Sequence, residues 1–421
     1  MPRLDETDNV RYFLPLTGSV RERLNFELVG VVPERVLYTG GKPVAGKTIL
    51  AVLGDRGGAN AVLPPLRRAL DAGCAVRLML VGTSREQWQE GALSLDPRFH
   101  VEAATVADPD GIVTAAALGS EDLLVLGASQ SEVGALTAAR TAMQTGAPAL
   151  AVQDLYGSSI TTLDLLEREG TLDVISCLCV TDVYAKAHLV SRGFDLADRV
   201  VVTGGPQFDK VVEVKKTWAE RRAIIRQGLA EDAFLVLIAG QLNGTAEILI
   251  LLDAAAGKLR KDFRFVLRRH ERASSLDSKL TTAVLDALGR HGCIAEKDVP
   301  REVASESEDV LPGVDLVLSG YSTTNFYGIL HEMPGVVYCG TPALHWDLWR
   351  EKGLLKPPEV EAGAAWYVET AGDLVHVLTE LKKGDASDEV RRIKDVQRRI
   401  AQCNDGHATD RVWAEMEKLL A

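Results

Sequence analysis

The 421-residue chain lacks the marks by which several protein classes are recognised. Its six cysteines, at 74, 177, 179, 293, 339 and 403, form no C-x-x-C pair. Cys177 and Cys179 stand two apart in an apolar run, so on a strand both face one side. They read as buried thiols in a reducing compartment, not as a disulfide frame or a zinc site. The eight histidines show no metal spacing, and no H-E-x-x-H, G-x-S-x-G or EF-hand pattern occurs. No cofactor and no protein-held metal is expected, which leaves magnesium carried on a bound phosphate as an option. No apolar run reaches the roughly 18 residues of a membrane span. The charged start, MPRLDETDNVRYFLPL, has no signal-peptide core, so the expected location is cytoplasmic. Basic excess is also missing. With 47 Lys and Arg against 59 Asp and Glu, the net charge of −12 argues against a nucleic-acid backbone binder. A small anion is a different matter, because one local cluster of donors can hold it.

What is present is an α/β rhythm. Short apolar runs at 48–53, 76–81, 122–126, 148–152, 173–180 and 199–203 read as strands. Helical patterns such as 62–72 and 131–145 fall between them. Continuous apolar strands alternating with helices indicate a parallel sheet covered on both faces. Residues 213–230 read as a charged helix or linker, after which strands recur at 233–239, 263–268, 314–318 and 335–339, with a helix at 245–260. The stretch 386–421 is helical and highly charged. The expected architecture is two Rossmann-like domains facing each other across a cleft. Residues 1–45 would be an N-terminal extension, 46–213 the first domain and 214–421 the second.

In open parallel sheets a ligand sits beyond the carboxyl ends of the strands, so the residues just after each strand matter most. After 48–53 come Gly54, Asp55, Arg56, Gly57 and Gly58, a glycine-rich turn leading to a helix. Such a turn can approach an anion closely, and Arg56 could add a fork of donors. The alternative is a tight turn with a surface arginine. After 199–203 comes Thr203-Gly204-Gly205-Pro206, a sharp exit that reads either as an interdomain turn or as part of the cleft. After 233–239 comes Gly240, Gln241, Leu242 and Asn243, again suited to phosphate. Strand 263–268 ends in Arg268, Arg269 and His270, suited to a pyrophosphate or a solvated loop. After 314–318 come Ser322, Thr323 and Thr324, hydroxyls that cap a helix and can hold phosphate oxygens. One competing motif, Gly41 to Thr48, fits G-x-x-x-x-G-K-[ST]. A working P-loop needs a preceding strand and a helix opening at the Lys-Thr, whereas Thr48 opens a strand.

Taken in order, these landmarks resemble the glycosyltransferase-B superfamily over about residues 46–421, on the branches of UDP-N-acetylglucosamine 2-epimerase and the CDP-glycerol glycerophosphotransferase-like proteins. GDRGGANAVLPPL is similar to the first Gly-x-Arg loop, and VVTGGPQFDKV to the segment ending T-G-N-P-x-x-D. VLRRHE resembles the strand ending in a donor-side histidine, and LVLSGYSTTNFYGILHEMPGVVY the Ser/Thr-rich phosphate loop. CNDGHATDRVWAEMEKLL is similar to a closing helix that crosses back to the first domain. The resemblance places Arg56 and Gly57 on the first-domain wall, His270 and the Ser322–Thr324 loop on the nucleotide side, and Gly240 and Gln241 towards the diphosphate. Several positions depart from the epimerase pattern. Gly58 and Ala59 stand for its first-loop acid, Ala128-Ser129-Gln130 for its Asp, and Gln241-Leu242 for its His-Arg pair. The Asn of T-G-N-P is Gly205, and the ribose-gripping Glu falls near Tyr327.

The leading expectation is a glycosyltransferase-like enzyme moving a sugar or related group from a nucleotide-activated donor to an acceptor. Asp154, at the end of 148–152, is its first candidate base and Asp55 its second. Either carboxylate could instead cap the turn that follows it. The alternatives are a sugar-nucleotide 2-epimerase or hydrolase, a non-catalytic nucleotide-sugar-binding or partner subunit, and a P-loop enzyme. The expected partners are the nucleotide-sugar and its acceptor, with no nucleic acid and no membrane span; a homodimer is compatible with the sequence.

Overall fold

The computed structural model describes residues 44–91, 93–103, 122–191, 197–241, 243–259, 263–270, 273–291, 294–297, 299–340 and 356–421. Most of the expected N-terminal extension, together with Leu242 and Cys293, lies outside the described residues.

The apolar runs form two separate parallel sheets. The first contains β1 (Thr48–Leu53), β2 (Ala75–Leu80), β3 (His100–Ala103), β4 (Leu123–Ala128), β5 (Ala149–Gln153), β6 (Ile175–Val180) and β7 (Val200–Val202). Their order is β3-β2-β1-β4-β5-β6-β7. Helices α1 (Arg56–Asp71), α2 (Gly82–Gln89), α3 (Glu132–Thr145), α4 (Tyr156–Arg168) and α5 (Val183–Ser191) return the chain between strands. The second sheet contains β8 (Phe234–Ala239), β9 (Phe263–Arg268), β10 (Ile294–Glu296), β11 (Leu316–Ser319), β12 (Val336–Cys339) and β13 (Trp366–Val368), ordered β10-β9-β8-β11-β12-β13. Central strands are apolar on both sides because helices cover both faces. The three strands that no apolar run announced, β3, β10 and β13, all lie at sheet edges, where a short and partly polar strand suffices.

Two expectations are corrected locally. Helix α1 opens at Arg56, not near Val62, so Gly57 and Gly58 belong to its first turn instead of to a loop. The helix starts there because Asp55 caps it, accepting the Gly58 N–H at 2.8 Å. The charged stretch after residue 210 is not one helix but two, α6 (Val211–Lys216) and α7 (Trp218–Ile225), separated at Thr217.

Close glycine contacts seat α1 on its sheet. A Cβ at Gly127 of β4 would stand 2.3 Å from the Gly58 Cα. Gly127→Ala is therefore expected to destabilise the fold by about 1–3 kcal/mol through overpacking. A urea midpoint equal to that of the native chain would show that the contact is looser than this geometry.

Between strands of the second sheet run α8 (Thr245–Leu259), α9 (Ser275–His291), α10 (Thr323–Leu330) and α11 (Pro358–Glu361), and after its last strand come α12 (Ala371–Lys383), α13 (Asp388–Cys403) and α14 (Ala408–Leu420). The last helix crosses back. Its Val412, Trp413, Met416 and Leu420 are buried in the apolar cluster of the first sheet, with Leu63 and Leu66 of α1. The Asp209 carboxylate accepts the Ala408 and Thr409 N–H groups, each at 2.9 Å, and so fixes the start of α14. Among the described residues no helix is long and apolar enough to cross a membrane.

Candidate active site

In each sheet the strand order reverses once, between β1 and β4 in the first and between β8 and β11 in the second. The crevices expected to hold ligands open beyond the carboxyl ends of those pairs. In the first crevice the glycines make room for neighbours of their own domain. A Cβ at Gly54 would meet Ser131 Oγ at 2.1 Å, and one at Gly58 would meet Ser129 Oγ at 3.0 Å. A Cβ at Gly57 would meet Asp154 Oδ2 at 2.1 Å, so the absence of a side chain is what lets this carboxyl sit against the first turn of α1. Arg56 is exposed on that turn.

Asp154 follows β5; the residue is half-buried and protein atoms surround its carboxyl. Burial, reinforced by the like charge of Asp55, pushes its carboxyl from the ordinary 3.8 up to about 7. A carboxyl that changes charge near neutral pH beside a crevice is suited to proton transfer. Asp55 is instead engaged as the cap of α1.

The second crevice is built from backbone turns. A Cβ at Gly240 would stand 2.7 Å from the Arg268 carbonyl, so glycine lets the β8 and β9 ends meet. Gln241 bridges the crevice: its side-chain oxygen accepts the Tyr321 N–H at 3.2 Å, and its amide donates to the Ala239 carbonyl at 3.0 Å. Asn243 accepts the Ser274 hydroxyl at 2.6 Å. Ser322 caps α10 by accepting the Thr324 N–H at 3.2 Å, while Thr323 is exposed beside it. His270 is half-buried on the neighbouring strand end. Arg268 is not aimed at a diphosphate, as its charge suggested. Its guanidinium donates to the carbonyls of Val299 and Ala304, both at 2.9 Å, and so holds that loop.

The exit after β7 is a joint. Gly204 has φ +79°, and a Cβ there would lie 2.2 Å from the Cys403 carbonyl. The Gly205 N–H donates to Asn404 Oδ1 at 2.8 Å, and Arg411 donates to the Thr203 carbonyl at 2.7 Å. Both glycines therefore serve the crossing to α14 and not the cleft wall.

This joint brings the two crevices together. Gln207 Nε2 donates to the Asp154 carbonyl at 2.7 Å, and the Tyr327 hydroxyl donates to the Gln207 carbonyl at 3.3 Å. Tyr327 belongs to α10, whose first turn carries Thr323 and Thr324. Burial pushes the Tyr327 phenol up to about 12, which keeps it a protonated donor. Tyr321 packs against apolar clusters of both halves. Tyr327, Asn404 and Arg411 were missed because their partners lie more than a hundred residues away.

The Gly41–Thr48 motif is not a P-loop. Thr48 opens β1, Lys47 Nζ donates to Asp122 at 2.9 Å and the Thr48 N–H donates to it at 2.8 Å. All three residues sit at the amino ends of β1 and β4, opposite the crevice.

No protein-family model and no curated protein sequence matches the chain. Solved structures do. UDP-GlcNAc 2-epimerase from Neisseria meningitidis, bound to UDP-GlcNAc, aligns over 88% of this chain and 100% of its own, with TM-score 0.58 and 13% identity. A glycosyltransferase from Rickettsia africae aligns over 89% and 98%, with TM-score 0.55 and 12% identity. MurG from Acinetobacter baumannii aligns over 88% and 99%, with TM-score 0.55 and 15% identity. The fold is that of the glycosyltransferase-B enzymes and the 2-epimerases built like them.

Proposed function

We propose that the protein transfers a glycosyl or related group from a nucleotide-activated donor to an acceptor hydroxyl. The observation that carries this reading is the Asp154–Gln207–Tyr327 chain, which ties the backbone of the residue bearing the candidate carboxyl, through the Asp154 and Gln207 carbonyls, to the helix presenting Ser322, Thr323 and Thr324. The α10 N-terminus and its hydroxyls would receive the diphosphate, with Gly240 and His270 alongside. Gln241 and Asn243 would hold the turns in place. Asp154, as carboxylate, would take the acceptor proton while the acceptor oxygen bonds to the sugar carbon. The bond from that carbon to the diphosphate would break, and the charge developing on the leaving group is what the helix terminus stabilises.

A 2-epimerase is the second reading, favoured by the structural likeness to the Neisseria meningitidis enzyme. Against it, position 58 carries no acid, and a Cβ there would meet Ser129 Oγ at 3.0 Å and the Gly127 Cα at 3.3 Å, a tight fit for any side chain.

A thermal-shift screen against UDP, GDP, CDP and ADP and their sugars tests the donor half. One base series should raise the melting temperature saturably, as RT ln(1 + [L]/Kd) requires. A flat response throughout would leave a non-catalytic partner subunit. For a hit, product formation without any acceptor would favour the epimerase.

A further inference from the structure

At the seam between the halves, a cavity of about 30 Å³ is lined by residues of α5 from the first half and of α10, α11 and α13 from the second. Each half brings one buried carboxyl to it. Asp182 follows β6 and is 4% exposed. It accepts the N–H groups of Tyr184 and Ala185 and the Thr181 hydroxyl, each at 2.9 Å. Glu359, on α11, is also 4% exposed. The Tyr338 hydroxyl links its carboxyl to the Asn325 side chain of α10, whose amide donates to the Val337 carbonyl at 3.2 Å. The titratable and charged groups around the pair are Tyr184 and His188 on α5, Glu361 on α11, Tyr338 on β12, and Arg399 and Cys403 on α13. The cations nearby are engaged elsewhere. Arg399 acts on Tyr184, and Arg411, close to Cys403, donates to the Thr203 and Cys403 carbonyls and to Asp405. Among the described residues no cation acts on Asp182 or Glu359.

We propose that these two carboxyls form a pH-sensitive latch between the halves: while protonated they let the seam close, and as they lose their protons like charge builds up across one small cavity and the seam loosens. A buried carboxylate without a cation is costly, and a second one facing it adds to the cost. Burial, reinforced by the like charge of Asp182, therefore pushes Glu359 from the ordinary 4.5 up to about 7, although the Tyr338 hydroxyl partly offsets this. Burial raises Asp182 as well. An opened seam returns both groups to water and to their ordinary range of about 4. Opening thus releases protons and is favoured by rising pH. Below 4.5 Glu359 is neutral in both states, and pH leaves the opening constant unchanged. Between 4.5 and about 7 it is protonated when shut and ionised when open, so each pH unit multiplies the opening constant by up to about ten. Above about 7 it is ionised in both states and the effect levels off.

The test is hydrogen–deuterium exchange of the full chain, divided at each pH by the intrinsic exchange rate, so that protected amides report the opening constant of their segment. Peptides covering α5 and α11 should exchange faster than those of the central strands β1 and β8, because the seam opens without unfolding the sheets. Their protection should fall by about 40-fold from pH 5 to pH 7 and only about twofold more to pH 8. Glu359→Gln cannot ionise, and should flatten most of that fall. If that variant does not fold, Asp182→Asn, whose side-chain oxygen can still accept the α5 N–H groups, should lessen it. Seam protection that is constant between pH 5 and pH 7, or a folded Glu359→Gln chain that keeps the native curve, would overturn the proposal. So would α5 and α11 exchanging only together with β1 and β8, since the carboxyls would then act on global unfolding and not on the seam.

Discussion

Asp154→Asn is expected to lower turnover by about 10²–10⁴-fold while leaving donor binding intact, the loss typical of a missing general base. The same substitution should raise stability at alkaline pH. In the unfolded chain this carboxyl ionises near 3.8, whereas in the fold it keeps its proton up to about 7. The stability it contributes is complete below pH 3.8 and fades as the pH rises through 7. At pH 8 the ionised group costs at most about 4 kcal/mol, from three pK units at 1.36 kcal/mol each. Asparagine cannot ionise, so the variant should melt higher than the native chain at pH 8 and show no such gain at pH 3. Native turnover should rise with pH through about 7 as the carboxyl becomes able to accept a proton. An Asp154→Asn enzyme of full activity would remove Asp154 from the chemistry, whatever its melting behaviour.

Trp413→Ala should cost about 3–5 kcal/mol, the range for emptying a buried aromatic site. Trp413 is 4% exposed and lies in the first-half cluster although it comes from the last helix of the chain. The loss should therefore be felt at the far side of the sequence. Cys177 and Cys179 are buried in the same cluster, their sulfurs 3.9 Å apart. In the native chain they should resist a thiol reagent under folding conditions, and in the variant they should react. A urea midpoint shifted by this amount together with faster labelling is the expected pair of results. Native-like protection in the variant would mean that α14 is not what covers these thiols.

Both experiments concern features that differ in how far the sequence announced them. Asp154 was legible because it follows an apolar strand, and the carboxyl ends of parallel strands are where ligands bind. Asp182 follows β6 in the same way and could have been found by the same rule. Glu359 carries no such signal: it lies on a four-residue helix, and only its burial distinguishes it. Arg268 and the glycines at 54, 57 and 58 were read for ligand contact from their residue types. The structure gives them neighbours within the protein, because a turn looks the same in sequence whether a phosphate or a serine fills it.

The sequence by itself determined the two-sheet α/β architecture and the sites where turns of interest fall. Central strands buried on both faces must be apolar throughout, and such runs survive in any reading. It also determined that the chain has no basic excess and no long apolar run. Whereas the start of α1 follows from its local Asp55 cap, tertiary structure alone decided the edge strands and which turns face each other. It alone showed that the Thr203–Asp209 joint and α14 lock the halves together. The locking of the halves depends on contacts between residues 53 to 223 positions apart, such as Gln207 with Asp154 and Asn404 with Thr181. Local pattern carries periodicity and capping, but carries no record of which distant atom completes a hydrogen bond.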